Sequence, residues 1–267
     1  MIEALNFGFV QKALIAGAIS SIVLSIIGVY VVLKKMSFIG DGIAHSAFGG
    51  VALGLLLHMN VSVAAIVFAW VVAMLIGISK KNGRTSEDAL IGIFFAFTMA
   101  LGVIFIGMNK NYNADIFGYL FGDILAVTTA DIVVISVVGV IALVTVAVLF
   151  KELLFFVFDE EAAKVSGIPV DFIYFTLLTL ISITVVASIK IVGIILVAAF
   201  LIVPASAALL LTKDFKKVMI FSVIIGLVAT LSGFVISYVF DIASGATIVV
   251  TVTFIFALCM LYNRIKR

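Results

Sequence analysis

Apolar runs of about 20 residues follow one another along almost the whole chain, separated by short connections that hold most of its charge. About 20 residues is the helix length that crosses roughly 30 Å of hydrocarbon, so the pattern restricts the chain to a membrane fold. The runs are about 8–33, 40–57, 61–79, 87–107, 131–150, 170–189, 191–211, 217–239 and 246–262, which makes nine crossings. With 65% hydrophobic and 11% charged residues, the 267-residue chain has too little polar surface to cover a soluble globule. The expected fold is an all-α, polytopic transmembrane helical bundle forming one domain over residues 1–267. The longest connection, about 108–130, leaves no room for a soluble domain.

The cations test this partition independently. Alternate connections hold Lys34 and Lys35; Lys80, Lys81 and Arg84; Lys151 and Lys164; Lys213, Lys216 and Lys217; and the tail Arg264, Lys266 and Arg267. Of the 16 cations only Lys12, Lys110 and Lys190 fall on the other side. By the positive-inside tendency those regions and the C-terminus are cytoplasmic, and nine crossings leave the N-terminus outside. Two joints leave eight or ten crossings open. Residues 170–211 form one apolar stretch broken only by Lys190, and residues 114–127 have the length of a short helix dipping into the membrane. The first run continues to Leu33, too long and too weakly charged at its start for a secretory signal, and is read as a retained helix.

Several function classes drop out. A net charge of +2 gives nucleic-acid binding no support, and a single cysteine, Cys259, builds neither a disulfide framework nor a cysteine metal cluster. No G-x-x-x-x-G-K-[ST] phosphate loop occurs, nor any Gly-Lys pair, so the chain does not hydrolyse ATP by that route. H-E-x-x-H and G-x-S-x-G are also missing, which weighs against a membrane-embedded protease or hydrolase.

Within the second run stand Asp41 and His45, two ionisable groups in otherwise apolar helix. Residues at i and i+4 share a helix face, so a carboxylate and an imidazole there close on one ion. Ionisable groups in a bilayer are costly and mark paths for ions or protons. A carboxylate oxygen and an imidazole nitrogen each bind a first-row divalent cation at about 2.0–2.2 Å, and two ligands leave a half-open shell suited to transit. The same two groups also suit a proton relay, and a purely structural pair near the headgroups fits position alone. Zinc prefers nitrogen and sulfur donors and manganese tolerates oxygen, so the pair does not choose between them. Gly49, Gly50 and Gly54 follow at once, small residues that let neighbouring helices approach. His58 is expected in a loop or interface, and Lys190 in an external loop or snorkelling. Pro204 with Ser206 interrupts the seventh run, and Asp241 with Ser244-Gly245 makes an external turn. Asp115 and Asp123 are placed near the outer mouth.

A second stretch, Phe158-Asp-Glu-Glu-Ala-Ala-Lys-Val-Ser-Gly-Ile-Pro169, reads as a short cytoplasmic helix. Acidic residues favour its positive end, the alanines leave a slim face, and Gly167 with Pro169 stops it.

These motifs together resemble the permease subunits of zinc, manganese and iron importers of the ATP-binding-cassette class. The resemblance is carried by Gly28-Val-Tyr-Val-Val-Leu-Lys-Lys-Met-Ser-Phe-Ile-Gly-Asp-Gly-Ile-Ala-His45 and Ser86-Glu-Asp-Ala-Leu-Ile-Gly-Ile-Phe-Phe95. It continues in Gly118-Tyr-Leu-Phe-Gly-Asp-Ile-Leu-Ala126, in the run from Val192 to Ala205 and in the run from Ser237 to Thr247. It implies an ATP-driven importer of a divalent cation, zinc or manganese with iron as a further candidate, working by alternating access in a bacterial or archaeal cell membrane. Asp41 and His45 would be the metal site, and no covalently bound cofactor is expected. Glu161, Ala162, Ala163 and Gly167, in a coupling helix at about 158–168, would dock on a partner ATPase. The implied partners are a second copy of the chain, two cytoplasmic ATPase subunits, which supply ATP hydrolysis, and an extracytoplasmic metal-binding solute protein. Many members carry a proline shortly after the histidine, where this chain reads Ser46-Ala-Phe-Gly-Gly50. A proton- or sodium-coupled secondary cation transporter is the alternative reading.

Overall fold

The computed structural model describes residues 7–83, 85–109 and 127–266, and within them the chain is helical, with no strand. The helices are α1 (Gly8–Leu33), α2 (Ile39–Leu56), α3 (Val61–Asn82), α4 (Glu87–Met108) and α5 (Thr129–Val148). After them come α6 (Phe150–Phe158), α7 (Glu160–Val165), α8 (Val170–Leu211), α9 (Phe215–Phe240) and α10 (Ser244–Lys266). All but the short α6 and α7 are long and apolar enough to cross a membrane. Their starts follow local chemistry. Asn60, Ser86, Thr128 and Asp214 each accept a first-turn backbone N–H through the side chain, satisfying donors that the helix itself leaves unpaired.

α8 is 42 residues long, about 63 Å if straight and twice the hydrocarbon thickness. It is two helices joined at Gly193, whose φ of 79° and ψ of 163° lie where only glycine is unstrained. Both of its ends lie at one end of the bundle. Asp171 pairs with Lys81 at 2.6 Å, and Phe215, just beyond Leu211, sets its ring 5.5 Å from that of Tyr30 near the end of α1. Lys190, near the break, instead reaches Asp131 in the first turn of α5, 2.7 Å away at the opposite end. Each arm therefore runs the length of the bundle, and the eight long helices supply nine membrane-length segments. The expected break at Lys190 falls at Gly193 instead. Asp131 neutralises the lysine, which leaves it inside the helix, and the change of direction needs a backbone conformation that a side chain resists.

α8 is the hub, packing against α1, α2, α3, α5, α9 and α10. At Gly28 any Cβ would run into the Leu201 carbonyl, and at Gly50 it would stand 2.7 Å from the Ala65 Cα. Backbones thus touch where α1 meets the second arm of α8 and where α2 meets α3. In lipid, where no hydrophobic burial drives helices together, such contact is the main packing gain. The outer faces of α4, α5 and α10 expose Val103, Ile104, Val140, Ile141 and Phe254, apolar surface that a bilayer solvates.

Lys34, Lys80, Lys81, α6 and α7 all lie at the end holding the termini of α8. The short helix expected at 158–168 is present as α7, with Asp159 as its N-cap. The expected dip at 114–127 falls, but for Val127, outside the described residues. So do Asp115, Asp123, Lys110, Arg84, Arg267 and the Gly118 to Ala126 motif.

Candidate functional site

The turn between α1 and α2 fixes the depth of the candidate ligands. Lys35 takes a left-handed φ of 61°, Met36 N–H donates to the Val31 carbonyl at 3.0 Å, and Lys35 N–H donates to that of Val32 at 3.1 Å. This double closure leaves no slack in the chain, and the Met36 side chain is fully buried under it. α2 then starts at Ile39, which places Asp41 in its first turn and His45 one turn further, within about 10 Å of the helix start. The pair lies toward the cation-rich end of the bundle.

Among the described residues, Asp41 and His45 lie on the less covered side of α2. Gly42 packs on Ile91 of α4 and Gly40 on Leu201 of α8. The Asp41 and His45 side chains keep 47% and 30% of their surface. His45 Nε2 lies 3.5 Å from Asp41 Oδ1. Two donors that far apart, each about 2.1 Å from a cation, subtend roughly 110° at it, the angle of a tetrahedral site and a distorted octahedral one. The imidazole meets the Phe95 ring edge-on at 4.9 Å, which limits its rotation.

Just past the pair, α2 runs on as regular helix to Leu56, with no kink where relatives of the motif carry proline. Ser46 Oγ donates to the Gly42 carbonyl at 2.7 Å and lies 3.1 Å from Thr98 Oγ1, a buried hydroxyl pair tying α2 to α4. Among the described residues no cluster of three or more His, Cys, Asp and Glu comes together, and Asp41 with His45 remains a pair.

The other candidates are dispersed. His58 sits in the left-handed turn after α2, at the far end from Asp41, and is exposed as a loop residue. Lys190 is held by Asp131, and Asp241 forms the left-handed cap of α9. Pro204 lies inside the second arm of α8 without breaking it, and its missing N–H leaves the Phe200 carbonyl without the usual helical donor.

At the coupling segment, Asp159 accepts the Ala162 N–H at 2.9 Å and Gly167 closes the helix with a φ of 81°. The Ile168 N–H then donates to the Ala163 carbonyl at 3.1 Å. The two alanines do not share a face. Ala163 is fully buried against the chain's own helices, whereas Glu161 and Ala162 are exposed, and Val165 is 90% exposed. Of the four expected coupling residues, Glu161, Ala162 and Gly167 thus lie on exposed surface and Ala163 faces the bundle.

Sequence reasoning passed over Lys34, Glu160, Phe95 and Val165. Lys34 Nζ donates to Glu160 Oε2 at 2.6 Å and to the Phe156 carbonyl at 3.3 Å, and stands 3.9 Å above the Phe156 ring. Nothing in the residue string links Lys34 to a partner 126 positions away. Phe95 closes the matched run from Ser86, which was a signal, although not of the contact to His45.

The profile of the ABC 3 transport family matches residues 6–263. The manganese import system permease protein ScaB of Streptococcus gordonii is 36% identical over 251 residues, covering 94% of this chain and 90% of that protein. The high-affinity zinc uptake system membrane protein ZnuB of Haemophilus influenzae is 32% identical, covering 95% and 97%. In structure, PsaBC from Streptococcus pneumoniae in complex with Fab superposes with a TM-score of 0.86 at 37% identity, over 97% of this chain and 93% of that one.

Proposed function

The chain belongs to the ABC 3 transport family, and from that premise we propose that it is the permease subunit of an ATP-driven importer that carries a divalent transition metal across the cell membrane. Manganese is the first candidate and zinc the second, since relatives of comparable identity are named for each. The observation that carries the site is the Asp41 to His45 geometry: one oxygen and one nitrogen donor, 3.5 Å apart and both partly exposed on α2. Two fixed ligands hold a cation while water, backbone oxygens or the same pair in a second copy complete its shell, which lets it leave again. The cation-rich end is cytoplasmic and the N-terminus external, in keeping with the positive-inside tendency.

The family premise extends to the assembly. Two copies of the chain would form the path, two cytoplasmic ATPase subunits would hydrolyse ATP, and an extracytoplasmic solute protein would deliver the metal. α7 is the docking helix, with Glu161, Ala162 and Val165 toward the ATPase, Ala163 anchoring it to the bundle and Gly167 ending it. The test is reconstitution of the assembled importer in vesicles. Uptake of manganese(II) should require ATP, and Glu161→Arg should abolish it. Uptake by the permease alone in ATP-free vesicles, driven by a proton or sodium gradient, would overturn the reading.

A further inference from the structure

The short helix α7 is bound to α1 through one side chain. Lys34 spends its ammonium on Glu160, on the Phe156 carbonyl and on the Phe156 ring, all at the junction of α6 and α7. The Lys34 side chain is only 12% exposed while that of Glu160 keeps 52%, so the ammonium is enclosed by protein and water reaches the pair from the carboxylate side alone. A cation held over an aromatic face and hydrogen-bonded twice is fixed in direction as well as position. Among the described residues, no other ion pair links α7 to the rest of the bundle.

Lys34 is also the C-cap of α1, and the turn it opens has no slack. Met36 is buried, its N–H is bonded back to Val31, and its carbonyl accepts the Ile39 N–H at 3.0 Å. A displacement of α7 that carries Lys34 therefore moves the first turn of α2, and Asp41 is in that turn. Gly40 and Gly42 allow close contact with Leu201 and Ile91, which confines the movement to sliding or rotation of α2 between α4 and α8.

We propose that Lys34 is the positioning residue that transmits movement of α7 to the Asp41/His45 pair, an inference that rests on the importer reading above. The Lys34 to Glu160 contact is the point at which ATPase-driven motion of α7 enters the metal path.

The experiment uses the full importer reconstituted with its ATPases and solute protein, with manganese(II) as the probe and both ATP hydrolysis and uptake measured. Lys34→Met keeps the stem and removes the charge. It should assemble and retain ATP hydrolysis within about twofold, while metal moved per ATP falls about tenfold. Lys34→Arg, which keeps a cation over Phe156, should restore most of that ratio. The double variant Lys34→Met with Glu160→Gln should be no worse than the poorer single variant, because both remove one contact. Wild-type coupling in Lys34→Met, equal loss of hydrolysis and uptake in Lys34→Met and Lys34→Arg alike, or multiplicative losses in the double variant would each overturn the proposal. Wild-type uptake that proceeds without ATP would overturn the importer reading instead. Should Lys34→Met fail to assemble, Lys34→Gln and the Glu160→Gln cycle carry the same comparison.

Discussion

His45 Nε2 lies 3.5 Å from Asp41 Oδ1, one turn apart on α2, and both side chains stay partly exposed on a helix that is otherwise mostly buried. A carboxylate beside an imidazole in an apolar helix gains little from packing, and the proposal that the pair ligates the transported cation makes a direct prediction. Asp41→Ala and His45→Ala should each lower metal uptake by about a hundredfold or more while leaving assembly intact, since each removes half of a two-ligand set. Uptake assays beside size-exclusion profiles of the purified complexes check this, and normal uptake in both variants would sink the assignment.

Phe95 limits the rotation of His45 without itself being a ligand. Phe95→Ala should therefore lower uptake less than loss of the histidine does, by about tenfold. Phe95→Tyr keeps the ring and should stay near wild type. Manganese titrations of these two variants and of His45→Ala, run side by side, separate orientation from ligation.

How much of this was legible in the sequence depends on the range of the contact. Helices α1 to α4 stand within a few residues of the apolar runs at 8–33, 40–57, 61–79 and 87–107, because membrane thickness sets span length and caps such as Asn60 and Ser86 are local. The pairing of Asp41 with His45 was legible for the same reason, being fixed by helical periodicity. The break in α8 was misplaced by three residues, since a charge in an apolar run is a stronger signal to a reader than a glycine among 21. Lys34 with Glu160 and the burial of Ala163 were illegible, because both arise where segments far apart in the chain meet.

The hydroxyls of Ser46 and Thr98 form the polar tie between α2 and α4 nearest the site. Interhelical hydrogen bonds in membranes contribute about 0.6 kcal/mol, so the cycle Ser46→Ala, Thr98→Ala and the double variant should give a coupling of that order. Ser46 also bonds its own helix at the Gly42 carbonyl, which further reduces what the pair adds. Reversible unfolding in mixed micelles measures it, and a coupling of several kcal/mol would show that the tie anchors the fold.

Gly193 holds the only non-helical backbone within α8. Gly193→Ala should destabilise the protein by about 1–3 kcal/mol, because its φ of 79° and ψ of 163° are closed to a residue with a Cβ. Alanine at Gly8, where nothing lies within 4 Å of the added carbon, is the control and should cost little. Thermal stability in detergent distinguishes a site of backbone strain from general sensitivity to added methyl groups.

The two alanines of α7 give a sharper test of docking than either alone, since they are chemically identical but one is exposed and the other buried. Ala163 has no exposed surface, so Ala163→Trp must displace the chain's own helices, and a loss of about 1–3 kcal/mol or more from overpacking should appear in the isolated permease. Ala162 is exposed, so Ala162→Trp should leave the stability of the permease unchanged and act only where a partner approaches. Val165→Lys should behave like Ala162→Trp, because its side chain is 90% exposed. The expected pattern is loss of co-isolated ATPase in Ala162→Trp and Val165→Lys with unchanged melting of the permease, against lowered melting in Ala163→Trp. If Ala162→Trp retains the ATPase and full uptake, α7 docks through another face or not at all, since a partner close enough to move so short a helix cannot accommodate an indole at its centre.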